Sequence, residues 1–564
     1  MMERRKFVKL AAAAAAYRPW VTPAEAPIPE WARTGNFVFM GLDGGPLEAE
    51  KGLRSGWPGF TRDDPQGLVQ ATRDFYRPEN VQIPLAAGAT WVYLTWTNGW
   101  SKTREQRDQW PYAARYLEEC RKHGIHGSAY ISGANMFWED YLEQMPESRR
   151  WIETVQPSLM RHYGGSPYRL MANLRLAEWR SQIKQSIDTA LDAGFEGFWV
   201  DNLFWWHGES LFVDFMAEMR AYAARRKSGL VWHINVNTGI CNWGRAGNVV
   251  GTEDGKAPHF LAASDPPIEG NLGLLSLVSG LREGWRPAIM EHYGNDLPAA
   301  IRQLIIAECW MWRTGATWFP SSRLLLTQWH RREPAAWHIL EAMGAYNRHY
   351  LKYRHYFQED EPIATIGIVG HPGSSGRDVV EQQRTAREQG DLVRLLNQLA
   401  AWKVQYEVLF EDRLRPEALH RFSVVVVTSR EQVPQGTWDA LETYRSAGGA
   451  VIETTLGDMR PQTLREEILR RAAPPVVQAD APAAIVFRGL RQREATAVHL
   501  VNYSTQPMAP FPLRFRGRSR NVEILMPEEN GPRSIAFQQQ GPFTVVTVPE
   551  FPIHCLLRFQ TNEA

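Results

Sequence analysis

The chain has 564 residues, with 63 Lys and Arg against 62 Asp and Glu and a formal net charge of +1. That balance leaves no electrostatic footprint for nucleic acid or an anionic membrane, and no uninterrupted apolar stretch reaches the ~18 residues a membrane span needs. With 44% hydrophobic and 22% charged residues, a chain this long predicts a globular protein of roughly three or four domains.

Residues 1–30 read as a targeting segment and stand outside the fold. Arg4 and Arg5, followed by Phe7, Val8 and Lys9, precede a weakly hydrophobic alanine run at 11–16. The pattern resembles a twin-arginine export signal, although Glu3 stands where Ser or Thr is usual and Pro27 follows the Ala24-Glu25-Ala26 cleavage-like site. It implies a periplasmic or extracellular protein exported already folded.

From 31 to 355, short apolar strands alternate with amphipathic helical stretches, the pattern of a parallel α/β domain. Strands are predicted at 36–40, ending near Asp43, at 90–94 and at 127–131. After a long insertion that shapes one end of the domain comes the run 194–202, bounded by Gly194 and Gly197 and stopping on Asp201 and Asn202. A glycine-bounded apolar run of this kind is a buried parallel strand. Four more follow: 230–234 with Asn235 and Asn237 just beyond, 248–251 ending at Glu253 and Asp254, 287–290 ending at Glu291 and His292, and 315–319. Eight such strands predict a (β/α)8 barrel, in which an acid at the C-terminal end of a strand faces the active site. Twenty of the 23 tryptophans fall between Trp31 and Trp337, and Trp100, Trp205, Trp206 and Trp243 sit in predicted loops. Trp205 and Trp206, next to Asp201, offer flat apolar faces of the kind that stack on sugar rings.

A second unit, 360–478, has strands at 365–369, 406–410, 423–428 and 450–453 with helices near 378–402 and 436–447. This is a small doubly wound sheet, and it resembles a glutamine-amidotransferase-like fold. A working glutaminase of that class needs a Cys nucleophile, and no Cys lies between 310 and 554, so the unit is expected to be structural or interface-forming. From 480 to 564 the helical signal vanishes, and runs at 497–503, 521–525 and 543–548 predict a small β-sandwich. Cys120, Cys241, Cys309 and Cys555 are scattered without a C-x-x-C pair, which argues against zinc and against a dense disulfide framework. No H-x-H or H-E-x-x-H motif suggests a metal-dependent hydrolase, and nothing in the sequence calls for a cofactor.

The order of barrel, amidotransferase-like unit and small β-domain, with its strand at His499-Leu500-Val501-Asn502-Tyr503, resembles the β-galactosidases that carry a trimerisation domain. Those enzymes place Asn-Glu at the end of the fourth barrel strand; here Asp201-Asn202 stands there. A fourth-strand aspartate is more similar to the α-galactosidase and α-fucosidase barrels, where it is the nucleophile. The resemblance implies a glycoside hydrolase acting on a carbohydrate and a homo-oligomer, with a trimer as one form.

Glycoside hydrolysis needs two carboxyl groups flanking the scissile bond, ~5–5.5 Å apart in retaining enzymes and ~6.5–9.5 Å in inverting ones. Asp201 is common to two schemes. One pairs it with Glu253, for which Asp254 competes; this is the sixth-strand position of the α-galactosidase acid/base. The other takes Glu291, at the seventh-strand position of the β-galactosidase nucleophile, with Asp201 as acid. Asp43, Asn98, Asn202, Asn235, Asn237 and His292 join Trp205, Trp206 and Asp254 as candidate sugar-binding groups. A different class of function uses the same residues: a barrel that binds carbohydrate without hydrolysing it.

Overall fold

The computed structural model describes residues 28–561 except 35–36, 41–44, 48, 51–64, 157–158, 161, 163–168, 203–208, 236–245, 282–287, 294–296, 320–322, 358–360, 371–378, 411–413, 429, 431–432, 434 and 456–459. The export-signal residues, Asp43, Trp205, Trp206, Asn237 and Trp243 therefore lie outside the described residues.

Eight parallel strands form the first unit: β1 (Phe37–Met40), β2 (Trp91–Thr97), β3 (His126–Ser132), β4 (Gly197–Asp201), β5 (Val231–Ile234), β6 (Val249–Gly255), β7 (Ala288–Tyr293) and β8 (Gly315–Phe319). Each pairs with its sequence neighbours, and the ring closes where β1 pairs with both β2 and β8. Every described position of β2 is buried, and all of β4 up to Val200, as expected for strands covered on both faces. The helix Ala177–Asp192 hands over to β4 through Gly194, whose φ of +96° is the left-handed helix stop that favours glycine. Its N–H bonds Leu191 O at 3.0 Å and that of Phe195 bonds Ala190 O at 3.1 Å.

Inside the ring, Trp91, Tyr93, Tyr130, Trp199, Val231 and Val249 form one buried cluster, and Ala32 with Ile28 and Trp31 packs against it from the N-terminal segment. Trp31 lies flat on His126, with ring centroids 4.4 Å apart and an interplanar angle of 6°. Outside the ring, strand and helix side chains merge into a single large core.

Two boundaries differ from the sequence reading in a way that matters for the site. Strand β6 was expected to end at 251 and β7 at 290; they run on to Gly255 and Tyr293, with Gly255 paired to His292 and Glu291 to Thr317. Glu253, Asp254, Glu291 and His292 thus lie within strands rather than after them. The apolar run stops where these residues begin, but ladder hydrogen bonds belong to the backbone and do not require apolar side chains.

The second unit is a four-stranded parallel sheet in the order β10-β9-β11-β12, with β9 (Ile366–Val369), β10 (Tyr406–Leu409), β11 (Val424–Val427) and β12 (Ala450–Glu453). Its helix Val379–Ala401 packs against the barrel helix Leu272–Gly280. There is room only for glycine at Gly273, where a Cβ would come within 2.0 Å of Val393 O.

The third unit is a two-sheet sandwich. One sheet orders Glu361–Pro362, β14 (Ile485–Arg491), β15 (Ala495–Asn502), β20 (His554–Thr561), β17 (Ser519–Leu525) and Arg533–Ser534. The other orders β13 (Val477–Ala479), β16 (Phe511–Arg516), β19 (Phe543–Val548) and β18 (Phe537–Gln540). The sandwich therefore starts before residue 480, the expected boundary. It recruits Glu361–Pro362 and β13, stretches too short to show period-2 alternation. Cys120, Cys309 and Cys555 are buried and free. Among the described residues no helix is long and apolar enough to cross a membrane.

Candidate active site

Asp201 closes β4, and the register sets its surroundings. It pairs with Ser132 at the end of β3, while Val200 pairs with Ile234 on the other side, which brings Asn235 alongside. Even-numbered residues of β3 and odd-numbered residues of β4 and β5 share the barrel-interior side, with Tyr130, Trp199 and Val231 among them, so Tyr130, Ser132, Asp201 and Asn235 meet there.

Three donors hold the Asp201 carboxyl group. Tyr130 Oη donates to Oδ2 at 2.6 Å, Asn235 Nδ2 to Oδ1 at 2.9 Å, and the backbone N–H of Asn202 to Oδ1 at 2.6 Å. The direction of the Tyr130 bond follows from its other partner: Asn202 Nδ2 donates to Tyr130 Oη at 2.9 Å and to Ser132 Oγ at 2.7 Å. Tyr130 therefore accepts from Asn202 and has its single proton left for Asp201. Asn202 reaches back in this way because its φ is +58°, a left-handed conformation that Asn tolerates better than most side chains. Asp201 is partly exposed, while Tyr130 and Asn202 are buried. A partly exposed carboxyl group bound only by donors keeps acceptor capacity for a ligand's hydroxyl groups.

Beneath this level lies a second polar pair. Tyr93 Oη and His233 Nδ1 are 2.6 Å apart, and the His233 ring stacks with Trp199 at 5.9 Å and 18°. Burial pushes His233 down to about 3, so its imidazole is neutral. Opposite it, Gly251 of β6 leaves no space: a Cβ there would sit 1.9 Å from His233 Nε2.

The sequence candidates sort as follows. Asp201, Asn202 and Asn235 come together, but Asn202 is turned inward and braces Tyr130 and Ser132 instead of presenting its amide to a ligand. Asn98, expected at the mouth, is completely buried. Its Oδ1 accepts from Gln109 at 2.9 Å, its backbone N–H donates to Glu105 at 2.7 Å and its carbonyl accepts from Asn135 at 2.6 Å. It is spent on folding the loop after β2. Trp100 in the same loop is likewise interior, fully buried and stacked on Phe137 with centroids 4.2 Å apart. Glu253 and Glu291 follow directly on the paired residues Thr252 and Met290 of adjacent strands; their side chains, with those of Asp254 and His292, lie outside the described residues. Tyr130 and Ser132 were missed. The available signal was the alternation of 128 and 130 within the third predicted strand, continued at 132 just past its end.

No protein-family model and no curated protein sequence matches the chain. Solved structures do. The α-L-fucosidase isoenzyme 2 from Paenibacillus thiaminolyticus superposes with a TM-score of 0.65 at 10% identity, covering 94% of this chain and 100% of its own. The β-galactosidase from Bacillus circulans sp. alkalophilus gives 0.57 at 10% identity, covering 85% of this chain and 96% of its own. A catalytic mutant of Gan42B, a GH42 β-galactosidase from G. stearothermophilus, gives 0.58 at 9% identity, covering 86% of this chain and 97% of its own. The chain resembles fucosidase and β-galactosidase structures in fold over most of its length.

Proposed function

We propose that this protein is a glycoside hydrolase whose essential carboxylate is Asp201. The observation that carries this reading is the triple anchoring of Asp201 at the C-terminal end of β4, the active-site end of a parallel barrel. The likeness in fold to fucosidase and β-galactosidase structures supports it. A nucleophile must be aimed at the anomeric carbon, and three donors from three different strand ends fix the Asp201 carboxyl before substrate arrives. The second carboxyl group in this proposal is Glu253, with Glu291 as its competitor. They lie on the adjacent strands β6 and β7, two and three places round the ring from β4.

The test is a panel of aryl α- and β-glycosides, including fucosides and galactosides, assayed with the wild type and with Asp201→Asn, Glu253→Gln and Glu291→Gln. Asp201→Asn should fold normally and lose at least about a thousandfold in kcat. Asp201→Gly with added azide should recover turnover as a glycosyl azide if Asp201 is the nucleophile. A folded Asp201→Asn variant with near wild-type turnover would overturn the assignment. Saturable sugar binding with no turnover of any glycoside would make the barrel a recognition module.

A further inference from the structure

Where barrel, parallel sheet and sandwich meet, a cation is buried without an acceptor. Arg488 of β14 is 7% exposed, and its guanidinium lies 3.7 Å from the centroid of the Trp312 ring, just past the barrel helix Ala299–Met311. Nη1 of Arg488 is buried with no hydrogen-bond partner, and so is Nε1 of Trp312. Both atoms can only donate. The charge nearby adds to the imbalance: burial and then the charge of Arg313 pull Arg488 down to about 9, with Glu407 opposing. Glu407 is itself paired to Arg421 at 2.6 Å. Opposite Arg488 in the ladder stands His499, also buried, with Nε2 unpartnered. A guanidinium removed from water needs an acceptor, and an indole face supplies only part of what hydration gave.

We infer that Arg488 and Trp312, with the neighbouring charge of Arg313, form a binding site for a small inorganic anion that ties the three units together. The site uses no residue of the proposed catalytic set, so its fate and that of the glycosidase reading are independent. The anion supplies the acceptor that Arg488 Nη1 and Trp312 Nε1 lack, and its charge offsets the paired arginines.

Bromide is the probe. Thermal unfolding of the full chain would be followed in sodium gluconate, whose anion is much bulkier than bromide, with bromide substituted at constant ionic strength. The melting temperature should rise saturably with bromide. Crystals soaked in sodium bromide should show an anomalous peak within hydrogen-bonding reach of Arg488 Nη1 and Trp312 Nε1. Arg488→Met, which keeps an apolar stem on the indole, should be insensitive to bromide. Trp312→Phe keeps the ring and loses the N–H, and should raise the half-saturating concentration about two- to tenfold; this arm stands even if Arg488→Met fails to fold. A water at the site with no anomalous peak would overturn the inference. So would a peak without any thermal response, which marks an adventitious ion only, or variants that respond as the wild type does.

Discussion

Replacing Gly251 by Ala tests how tightly the barrel is filled beneath Asp201. The added methyl would lie 1.9 Å from His233 Nε2 and 2.8 Å from both Cδ2 and Cε1 of the same ring, against ordinary contacts of about 3.5–4 Å. His233 cannot swing aside freely, because Tyr93 holds it at 2.6 Å and Trp199 covers its face. Overpacking a full core costs about 1–3 kcal/mol. An overlap of well over 1 Å against a pinned ring belongs at the top of that range, about 3 kcal/mol or more. At about 2 °C per kcal/mol for a large domain, the melting temperature should fall by about 6 °C or more. Relief by sliding β6 would carry Glu253 with it, so glycosidase turnover should drop alongside stability. The assay is thermal unfolding of Gly251→Ala, His233→Ala and the double variant. The clash disappears with the ring, so the double variant should be more stable than the sum of the single losses predicts, with a coupling of at least about 1 kcal/mol. A Gly251→Ala protein melting within 2 °C of the wild type (about 1 kcal/mol by the same scaling), or a strictly additive cycle, would refute the reasoning.

Three further outcomes are expected. Burial pushes Glu308 up to about 7, against bonds from Asn271 at 3.0 Å and Tyr503 at 2.7 Å. Between about pH 4.5 and 7 the folded chain therefore keeps a proton that the unfolded chain releases, and stability falls by roughly 3 kcal/mol as pH rises through that window. Glu308→Gln should flatten this slope in thermal scans against pH, and an unchanged slope would exclude Glu308 as its source. The parallel-sheet unit should show no glutaminase activity and should support self-association; light scattering that finds only monomer at about micromolar concentration would count against it. Replacing Arg4 and Arg5 by Lys should hold the protein in the cytoplasm with fold and activity unchanged. Fractionation that still finds this variant outside the cytoplasm would exclude the twin-arginine route.

What could be read in the sequence followed the physics of each element. The strand ending on Asp201 was visible because a parallel strand buried on both faces is a continuous apolar run, and a carboxylate interrupts it sharply. The ends of β6 and β7 were placed too early for the same reason: Glu253 and Glu291 break the run without breaking the ladder. Asn98 and Trp100 were misjudged because proximity to a strand end does not reveal that a loop folds inward. Here Glu105 and Gln109, several residues downstream, capture the loop's polar groups. Tyr130 lay beyond reach altogether as a partner of Asp201. The bond between them depends on the register of Ser132 against Asp201, set by pairing across about 70 residues, and on the left-handed turn at Asn202.

The position of β20 has a consequence for biosynthesis. This strand, His554–Thr561, is central in its sheet, hydrogen-bonded to β15 along one side and β17 along the other. His554 also meets Trp310 of the barrel, with ring centroids 5.1 Å apart. A ribosome that has finished the barrel and the parallel sheet still holds a sandwich with a slot through its middle. Translation interrupted before residue 554 would leave two facing strand edges, surfaces that proteases and chaperones recognise. Docking of β20 therefore hides both edges in a single step, and the sandwich stays open to quality control until translation has passed residue 561.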